Sequence, residues 1–412
     1  MGEYLRTEIS SYKGTDQGLQ HHFKHVGQRA SSLPLSSQRA TARCLSSRIM
    51  EKNRASHQQF DVVNPCATHE SRNASILPTS RQPCRRHLSS GLASVASRSN
   101  PQNFQRRASF SAVVTPPTEP IIHSVFEKTT GTWQYLIADP STLSAAIIDP
   151  VLDYDPVTQV ISTCTADTLL AMAIEKGYKI DRILETHAHA DHLTAAFYLQ
   201  KQVTRLQGHM PPTCIGKRIR QVQKMFGEKY GVQAEEYDGV FDRFLEDDET
   251  FSLGDMEVTA IHLPGHTPDH LGYKIGDHVF CGDSIFHADI GSARCDFPGG
   301  SAHDLFRSGR RLLALPGNVK IWTGHDYPPN DRTMPMAFMT VEEHRKQNKH
   351  LSDSVTEEDF VHLRKERDAT LGEPRLLHQS LQINIRGGRP PKPTALGHSF
   401  LHLPMKLKGV EF

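Results

Sequence analysis

The stretch Thr186-His187-Ala188-His189-Ala190-Asp191-His192 places three imidazoles and one carboxylate within six residues. It follows an apolar run containing Ile180, Ile183 and Leu184, which predicts a buried strand leading into it. Imidazole and carboxylate groups bind divalent metals at neutral pH. Histidines two positions apart lie on the same side of an extended segment. The stretch therefore predicts a metal site supported by the end of a strand.

Three further ligand-type residues each follow a predicted strand and stand directly behind a glycine: His266, Asp283 and His325. The predicted strands are Val258–Leu263, His278–Cys281 and Lys320–Trp322. A glycine permits a sharp turn and a close approach of the backbone to an ion. One such piece alone is more often an ordinary turn. Four ligand groups in this order indicate a single metal site.

Ordered structure is predicted from about Ile121, with short strands and helices mixed along the chain. Other predicted strands are Ile121–Glu127, Trp133–Ile137, Ala145–Asp149, Tyr178–Glu185, Thr250–Leu253, Glu257–His262 and Tyr273–Ile275. The predicted helices are Thr165–Lys176, Leu193–Val203, Ile215–Phe226 and Ala302–Leu315, with one or two more after Pro335. This mixture predicts an α/β or α+β fold in which helices cover the sheets.

The first part of the chain has a different composition. From Ser71 to Thr118 there is no Asp, Glu or Lys, whereas seven Arg occur among many Ser. This composition is typical of an organellar transit peptide, and a disordered basic tail is the alternative. A shorter product beginning at Met50 is also compatible with the sequence. We expect a disordered extension over 1–115, a catalytic domain over 116–335 and a helical or irregular C-terminal extension over 336–412 packing on it.

The overall composition limits the partners. A net charge of +1 gives no general attraction to nucleic acid. No apolar run approaches the roughly 20 residues that span a bilayer, so no membrane partner is expected. The seven cysteines include no Cys-x-x-Cys pair, which indicates reduced thiols in an intracellular compartment.

The ligand-type set resembles that of the metallo-β-lactamase superfamily over about residues 120 to 330. Its members in this chain are His187, His189, Asp191, His192, His266, Asp283 and His325. The resemblance implies a four-layer αβ/βα sandwich with the metal site between its two sheets. Because this superfamily hosts many chemistries, the fold alone does not define the reaction.

Two later segments resemble persulfide dioxygenases, in particular the branch found in bacteria and fungi. They are Gly291–Gly300 with the following Leu305-Phe306-Arg307-Ser308, and Gly324-His325-Asp326-Tyr327. The likeness continues through Thr340–His344 to Gln382–Arg386. One departure is that this chain has Ser292 where some animal members carry a cysteine, with Cys295 nearby instead. No role for a protein thiol is therefore transferred.

The resemblance implies one Fe(II) per chain, held by His187, His266 and Asp283 as a facial triad with open positions. It implies oxidation of glutathione persulfide by dioxygen to sulfite and glutathione. The remaining ligand types, His189, Asp191, His192 and His325, would orient the ligands or hold a second metal. We predict catalytic roles for Asp191, His192, His325 and Tyr327, and substrate contacts for Arg294 and Tyr327. A salt bridge with Asp296 is the alternative for Arg294.

Several alternatives stay open at this point. All seven ligand types of the two-metal members are present, so a site with two Zn or Fe ions is compatible with the sequence. The second functional hypothesis is a thiolester hydrolase resembling glyoxalase II. Nucleic-acid processing would need a basic surface or an added domain, and a non-catalytic protein would be expected to lack ligands. The expected location is the mitochondrial matrix, or else the cytoplasm, and a homodimer is a candidate assembly.

Overall fold

The computed structural model describes residues 119–329 and 332–409. The predicted N-terminal extension, 1–115, lies outside the described residues. Within them the strands are β1 (Ile121–Glu127), β2 (Thr132–Ala138), β3 (Ser144–Ile148), β4 (Val151–Asp155), β5 (Val160–Ser162), β6 (Lys179–Leu184), β7 (Leu193–Thr194), β8 (Thr213–Gly216), β9 (Arg243–Leu245), β10 (Thr250–Leu253), β11 (Met256–His262), β12 (Leu271–Ile275), β13 (His278–Phe280), β14 (Lys320–Trp322) and β15 (Phe338–Thr340).

The α-helices of the same residues are α1 (Cys164–Glu175), α2 (Ala196–Gln207), α3 (Ile219–Tyr230), α4 (Ala302–Leu313), α5 (Val341–Gln347), α6 (Glu357–Ala369) and α7 (Leu377–Asn384). Helix α3 has Ile219, Val222, Phe226 and Tyr230 buried on one face, at the spacing of an amphipathic helix. None of the described helices is long and apolar enough to cross a membrane.

Two six-stranded sheets form the centre of the fold. The first has the order β1-β2-β3-β6-β8-β9 and the second β10-β11-β12-β13-β14-β15. In the second sheet β11, β13 and β14 run in the same direction, because β12 is antiparallel to both β11 and β13, whereas β14 is parallel to β13. The carboxyl ends of these three strands therefore meet at one edge.

The buried side chains divide into layers that give the predicted four-layer αβ/βα sandwich. Between the sheets, Tyr135 and Ile148 of the first pack with Val258 and Tyr273 of the second. Helices α1 and α2 cover the outer face of the first sheet, and α4 to α6 cover that of the second. Burying each large apolar side chain contributes about 1.5–3 kcal/mol, so these interfaces hold the layers together.

Two predicted helices begin later than expected. Leu193 lies in β7, and α2 begins at Ala196; Ile215 lies in β8, and α3 begins at Ile219. The apolar residues at both starts pair with neighbouring strands, Leu193 with Leu152 of β4, and β8 with β6 and β9. Short apolar runs fit a buried strand and a buried helix equally well, so periodicity does not separate them.

The C-terminal helices pack on the layers just described. Helices α5 and α6 contact α4, and α7 contacts α3 and β7. Phe360 of α6 joins the core under the second sheet, whereas Leu381 and Ile385 join a cluster with α3. Strand β15 pairs with β14 and forms the edge of the second sheet.

Acid is expected to destabilise the protein through His344, which is 2% exposed. Burial, with the neighbouring His287, lowers the pKa of His344 to about 4. Its Nδ1 lies 3.2 Å from Asn348 Nδ2, an amide donor that requires an unprotonated ring atom. The unfolded chain binds this proton near pH 6.5, so the unfolded state takes up more protons between pH 6.5 and 4.

Stability is therefore fully present above pH 6.5 and is lost as the pH falls towards 4, by up to about 3 kcal/mol from this group. The measurement is the free energy of urea unfolding of metal-free protein across this range, for wild type and His344→Gln. The variant is expected to lose less stability on acidification than the wild type. Equal pH profiles would contradict the assignment.

Candidate metal centre

All four ligand groups follow strand ends, as predicted. The histidine-rich stretch follows β6 of the first sheet, and His266, Asp283 and His325 follow β11, β13 and β14 of the second. The parallel directions of these last three strands place their ligands at one edge. The sandwich brings that edge against the end of β6, so residues more than 130 positions apart meet.

The buried group of His187, His266 and Asp283 has ligand atoms that all lie within 4.8 Å of one another. His266 Nε2 lies 3.6 Å from Asp283 Oδ2. Within the described residues, His187 Nε2 and Asp283 Oδ1 are buried and make no hydrogen bond. Buried polar atoms normally have a partner, and a metal ion would supply one. The group therefore fits a bound divalent metal.

Each imidazole of this group is oriented through its other nitrogen. Thr186 Oγ1 donates to Asp149 Oδ2 at 2.8 Å and therefore accepts from His187 Nδ1 at 2.9 Å. His266 Nδ1 donates to the carbonyl oxygen of Arg294 at 2.8 Å. In both rings the Nε2 lone pair is left for a ligand bond, and such outer contacts fix ring orientation and tautomer.

A second group lies beside the first. Ligand atoms of His189, Asp191 and His192 also lie within 4.8 Å of one another. His325 Nε2 lies 3.1 Å from Asp191 Oδ2 and 3.5 Å from Asp283 Oδ2. His189 Nδ1 and His192 Nε2 are buried and make no hydrogen bond among the described residues. The seven predicted ligand types therefore come together in one connected cluster.

The protonation states differ across the cluster. Burial, reinforced by neighbouring histidines, holds the pKa of His187 well below its ordinary value, and burial also lowers that of His192. Burial opposes the charged form of His189 as well, but Asp149 and Glu185 outweigh it and raise its pKa. These two carboxylates lie 3.1 and 3.3 Å from His189 Nε2. Neutral His187 and His192 are in the form that binds a metal.

Sequence reasoning missed several residues that support the cluster. His270 Nε2 accepts from the backbone N–H of Asp283 at 2.9 Å, and Asp269 Oδ2 accepts from that of Ala188 at 2.9 Å. Both are 0% exposed. The sequence offered one signal, a polar Asp-His pair directly before the apolar strand β12. Together they anchor both sides of the site to the loop that carries His266.

The remaining predicted site residues lie nearby but are differently engaged. Tyr327 is half exposed, and its ring stacks on His325 with centroids 5.7 Å apart. Arg294 makes the alternative salt bridge, bonding both oxygens of Asp296 at 2.5 Å. Asp326 accepts two hydrogen bonds from Arg332, at 2.5 and 2.6 Å.

The Gly324→Ala variant is expected to displace the Asp283 carboxylate. A Cβ at Gly324 would lie 2.4 Å from Asp283 Oδ1 and 2.9 Å from the carbonyl carbon of Gly282. We expect at least a tenfold loss of metal affinity, measured by competition with a chelator. The control is Gly372→Ala, where a Cβ would meet nothing within 4 Å. Unchanged affinity in Gly324→Ala would show that the carboxylate moves freely.

The chain is similar to several known proteins. The metallo-beta-lactamase superfamily model matches residues 129–325. Glyoxylase B2 of Dictyostelium discoideum is 43% identical over 282 residues, which is 68% of this chain and 94% of that protein. The beta-lactamase hydrolase-like protein of Agrobacterium fabrum is 42% identical over 69% of this chain. That match spans 65% of the relative's own length, less than two thirds.

Two further proteins are similar to this chain. Persulfide dioxygenase ETHE1, mitochondrial, of Bos taurus is 28% identical over 66% of this chain and 91% of that protein. The crystal structure of ETHE1 from Myxococcus xanthus has a TM-score of 0.52 and 24% identity, covering 65% of this chain and 100% of that one. This likeness supports the fold. With its sandwich and its buried His/Asp cluster, the chain belongs to the metallo-β-lactamase superfamily.

Proposed function

We propose that the protein is an iron-dependent persulfide dioxygenase. The reaction is glutathione persulfide + O₂ + H₂O → glutathione + sulfite + 2 H⁺. The outer sulfur gives up four electrons and dioxygen accepts four, so no further oxidant is required. The observation that carries the proposal is the buried group of two histidines and one carboxylate, His187, His266 and Asp283. The likeness to a persulfide dioxygenase at 28% identity supports it.

In this proposal His187, His266 and Asp283 hold one Fe(II), and two histidines with one carboxylate leave positions open for other ligands. The iron supplies the activation of dioxygen. Phe286 packs edge-on against both His325 and Tyr327, with centroids 6.1 and 6.5 Å apart. Phe286 is buried and supplies an apolar side chain beside these two rings.

The residues predicted to act in catalysis and those predicted to bind substrate have different roles in this proposal. Asp191 and His192 lie next to the triad and orient the reacting groups, and His325 holds Asp191 at 3.1 Å. Tyr327, half exposed on the ring of His325, contacts the persulfide as it enters. For Arg294 to bind a glutathione carboxylate, that carboxylate would have to replace Asp296 at the guanidinium.

A thiolester hydrolase is the second candidate function, and one observation favours it. The group His189, Asp191 and His192, with His325 beside it, presents a complete second set of ligand types. The identity to a relative named Glyoxylase B2, at 43%, also supports it. Under this hypothesis the two groups would each hold one metal, and the metals would supply a hydroxide nucleophile at neutral pH. It requires two metals per chain and no consumption of dioxygen.

One experiment separates the two candidates. Fe(II)-loaded protein is given glutathione persulfide, and dioxygen uptake and sulfite are followed together. The same protein is given a glutathione thiolester, and hydrolysis is followed as a control. Uptake equal to sulfite formation, with slow hydrolysis, is the expected result. Rapid hydrolysis without dioxygen uptake would overturn the proposal and favour the thiolester hydrolase.

We also propose that the protein acts in the mitochondrial matrix. Support comes from the arginine-rich, acid-free composition of 71–118 and from the mitochondrial designation of the Bos taurus relative. A fusion of residues 1–118 to a fluorescent protein is expected to colocalise with a matrix marker. Replacing its arginines by glutamine should abolish import. A diffuse cytoplasmic signal from the unmodified fusion would contradict the proposal.

A further inference from the structure

The side chain of Asn384, at the end of α7, bonds the loop that carries the histidine-rich stretch and the strand β7 that follows it. Its Nδ2 donates to the carbonyl oxygens of His189 and His192, both at 2.8 Å. Its Oδ1 accepts from the backbone N–H of Thr194 at 2.9 Å. Asn384 is 3% exposed. The amide thus uses both donor hydrogens on the loop and its acceptor on the first strand after it.

This loop needs support because it lies outside regular structure. Between the end of β6 at Leu184 and the start of β7 at Leu193, the described chain contains neither helix nor strand. Four ligand-type residues lie in this segment, so its backbone decides where their side chains point. Two of the residues that Asn384 bonds, His189 and His192, are themselves in the second ligand group.

Helix α7, which carries Asn384, is held in place by contacts with other parts of the fold. Gln223 of α3 donates to the carbonyl of Ile385 at 3.0 Å. Arg386 donates to the carbonyl of Gln382 at 2.7 Å and pairs with Glu236 at 2.9 Å. Leu381 is fully buried in the cluster with α3. These contacts hold α7 in place independently of the loop.

We infer that Asn384 is a positioning residue of the metal centre, which fixes the 185–192 loop so that its histidines and Asp191 meet His266 and Asp283. It lies 195 positions from His189 in sequence and outside the matched span 129–325. The inference rests on the metal-binding part of the proposed function and is independent of persulfide oxidation.

The test compares Asn384→Ala with a matched variant, Gln382→Ala. Gln382 makes the same pattern of bonds two residues away: its Nε2 donates to the carbonyls of His378 and His402, and its Oε1 accepts from His402 N. Neither His378 nor His402 lies in the 185–192 loop. Both variants are prepared metal-free, and Co²⁺ is the probe. The readouts are the Co²⁺ dissociation constant, the visible Co²⁺ spectrum and the thermal midpoint of the metal-free protein.

Asn384→Ala is expected to bind Co²⁺ 10–100-fold more weakly with an altered spectrum, as for other outer contacts of metal ligands. Gln382→Ala is expected to stay within about threefold of wild type although its thermal midpoint falls comparably. If Asn384→Ala fails to fold, Asn384→Asp replaces it, since it keeps the acceptor for Thr194 N but loses both donors. Wild-type affinity and spectrum in the Asn384 variant, or an equal loss in Gln382→Ala, would overturn the inference.

Because Co²⁺ binding needs no persulfide, failure here is distinct from failure of the proposed reaction. A protein that binds Co²⁺ normally in all variants yet consumes dioxygen leaves the dioxygenase intact and removes the role of Asn384. A protein whose Asn384 variant loses Co²⁺ but whose wild type consumes no dioxygen keeps the role of Asn384 and removes the dioxygenase.

Discussion

The His266→Ala protein is expected to fold, to retain less than a tenth of the wild-type iron, and to show no dioxygen uptake above background with glutathione persulfide. His266 supplies one of three ligand atoms that lie within 4.8 Å of one another. Its ring is fixed by a hydrogen bond from Nδ1 to the Arg294 carbonyl oxygen. Loss of contacts that merely orient a ligand costs 10–100-fold in metal affinity, and loss of the ligand costs more.

The measurements are iron content after gel filtration and dioxygen uptake with sulfite formation. The matched control is His303→Ala, an exposed histidine of α4 paired with Glu357. A surface pair of this kind contributes about 0–1 kcal/mol, so this variant is expected to keep its iron and its activity. Full iron content in His266→Ala would move the first metal to the group of His189, Asp191 and His192.

The Arg364→Met variant is expected to lose about 3–5 kcal/mol of stability, because it leaves the buried Asp368 carboxylate without its cation. Arg364 is 1% exposed, and its guanidinium bonds Asp368 and the carbonyl of Ser292. Asp368 also accepts from the N–H of Cys295 at 2.9 Å. The pair therefore anchors the segment whose Arg294 carbonyl orients His266.

Urea unfolding measures the loss, with Arg367→Met as a control on the exposed side of α6. The control is expected to change stability by less than about 0.5 kcal/mol. The double variant Arg364→Met/Asp368→Leu should recover part of the loss, since no unpaired charge then stays buried. A single variant as stable as the control would show that water reaches Asp368 and that the pair is not an anchor.

Much of the site could be predicted from sequence because its ligands are local signals. His187, His266, Asp283 and His325 each follow an apolar run that ends in a turn, and all four lie at strand ends in the structure. Strand alternation and glycine turns depend on neighbouring residues, so they can be recognised in the sequence without knowledge of the fold. The starts of α2 and α3 could not be predicted as well. The apolar residues expected to begin these helices form β7 and β8 instead, which pair with β4 and with β6 and β9, respectively.

The sequence by itself determined which side chains are able to bind a metal, at which strand ends they lie, and that helices cover two sheets. Only the tertiary structure decided which residues orient them. Asp149 and Glu185 contact His189, His270 bonds the backbone of Asp283, and Asn384 bonds the 185–192 loop. The physical reason is the separation of the bonded residues along the chain. Each of these bonds except that of Glu185 joins residues 13 to 195 positions apart. A buried polar residue has no periodic pattern in the sequence, so its bonding partner is defined only when the layers pack together.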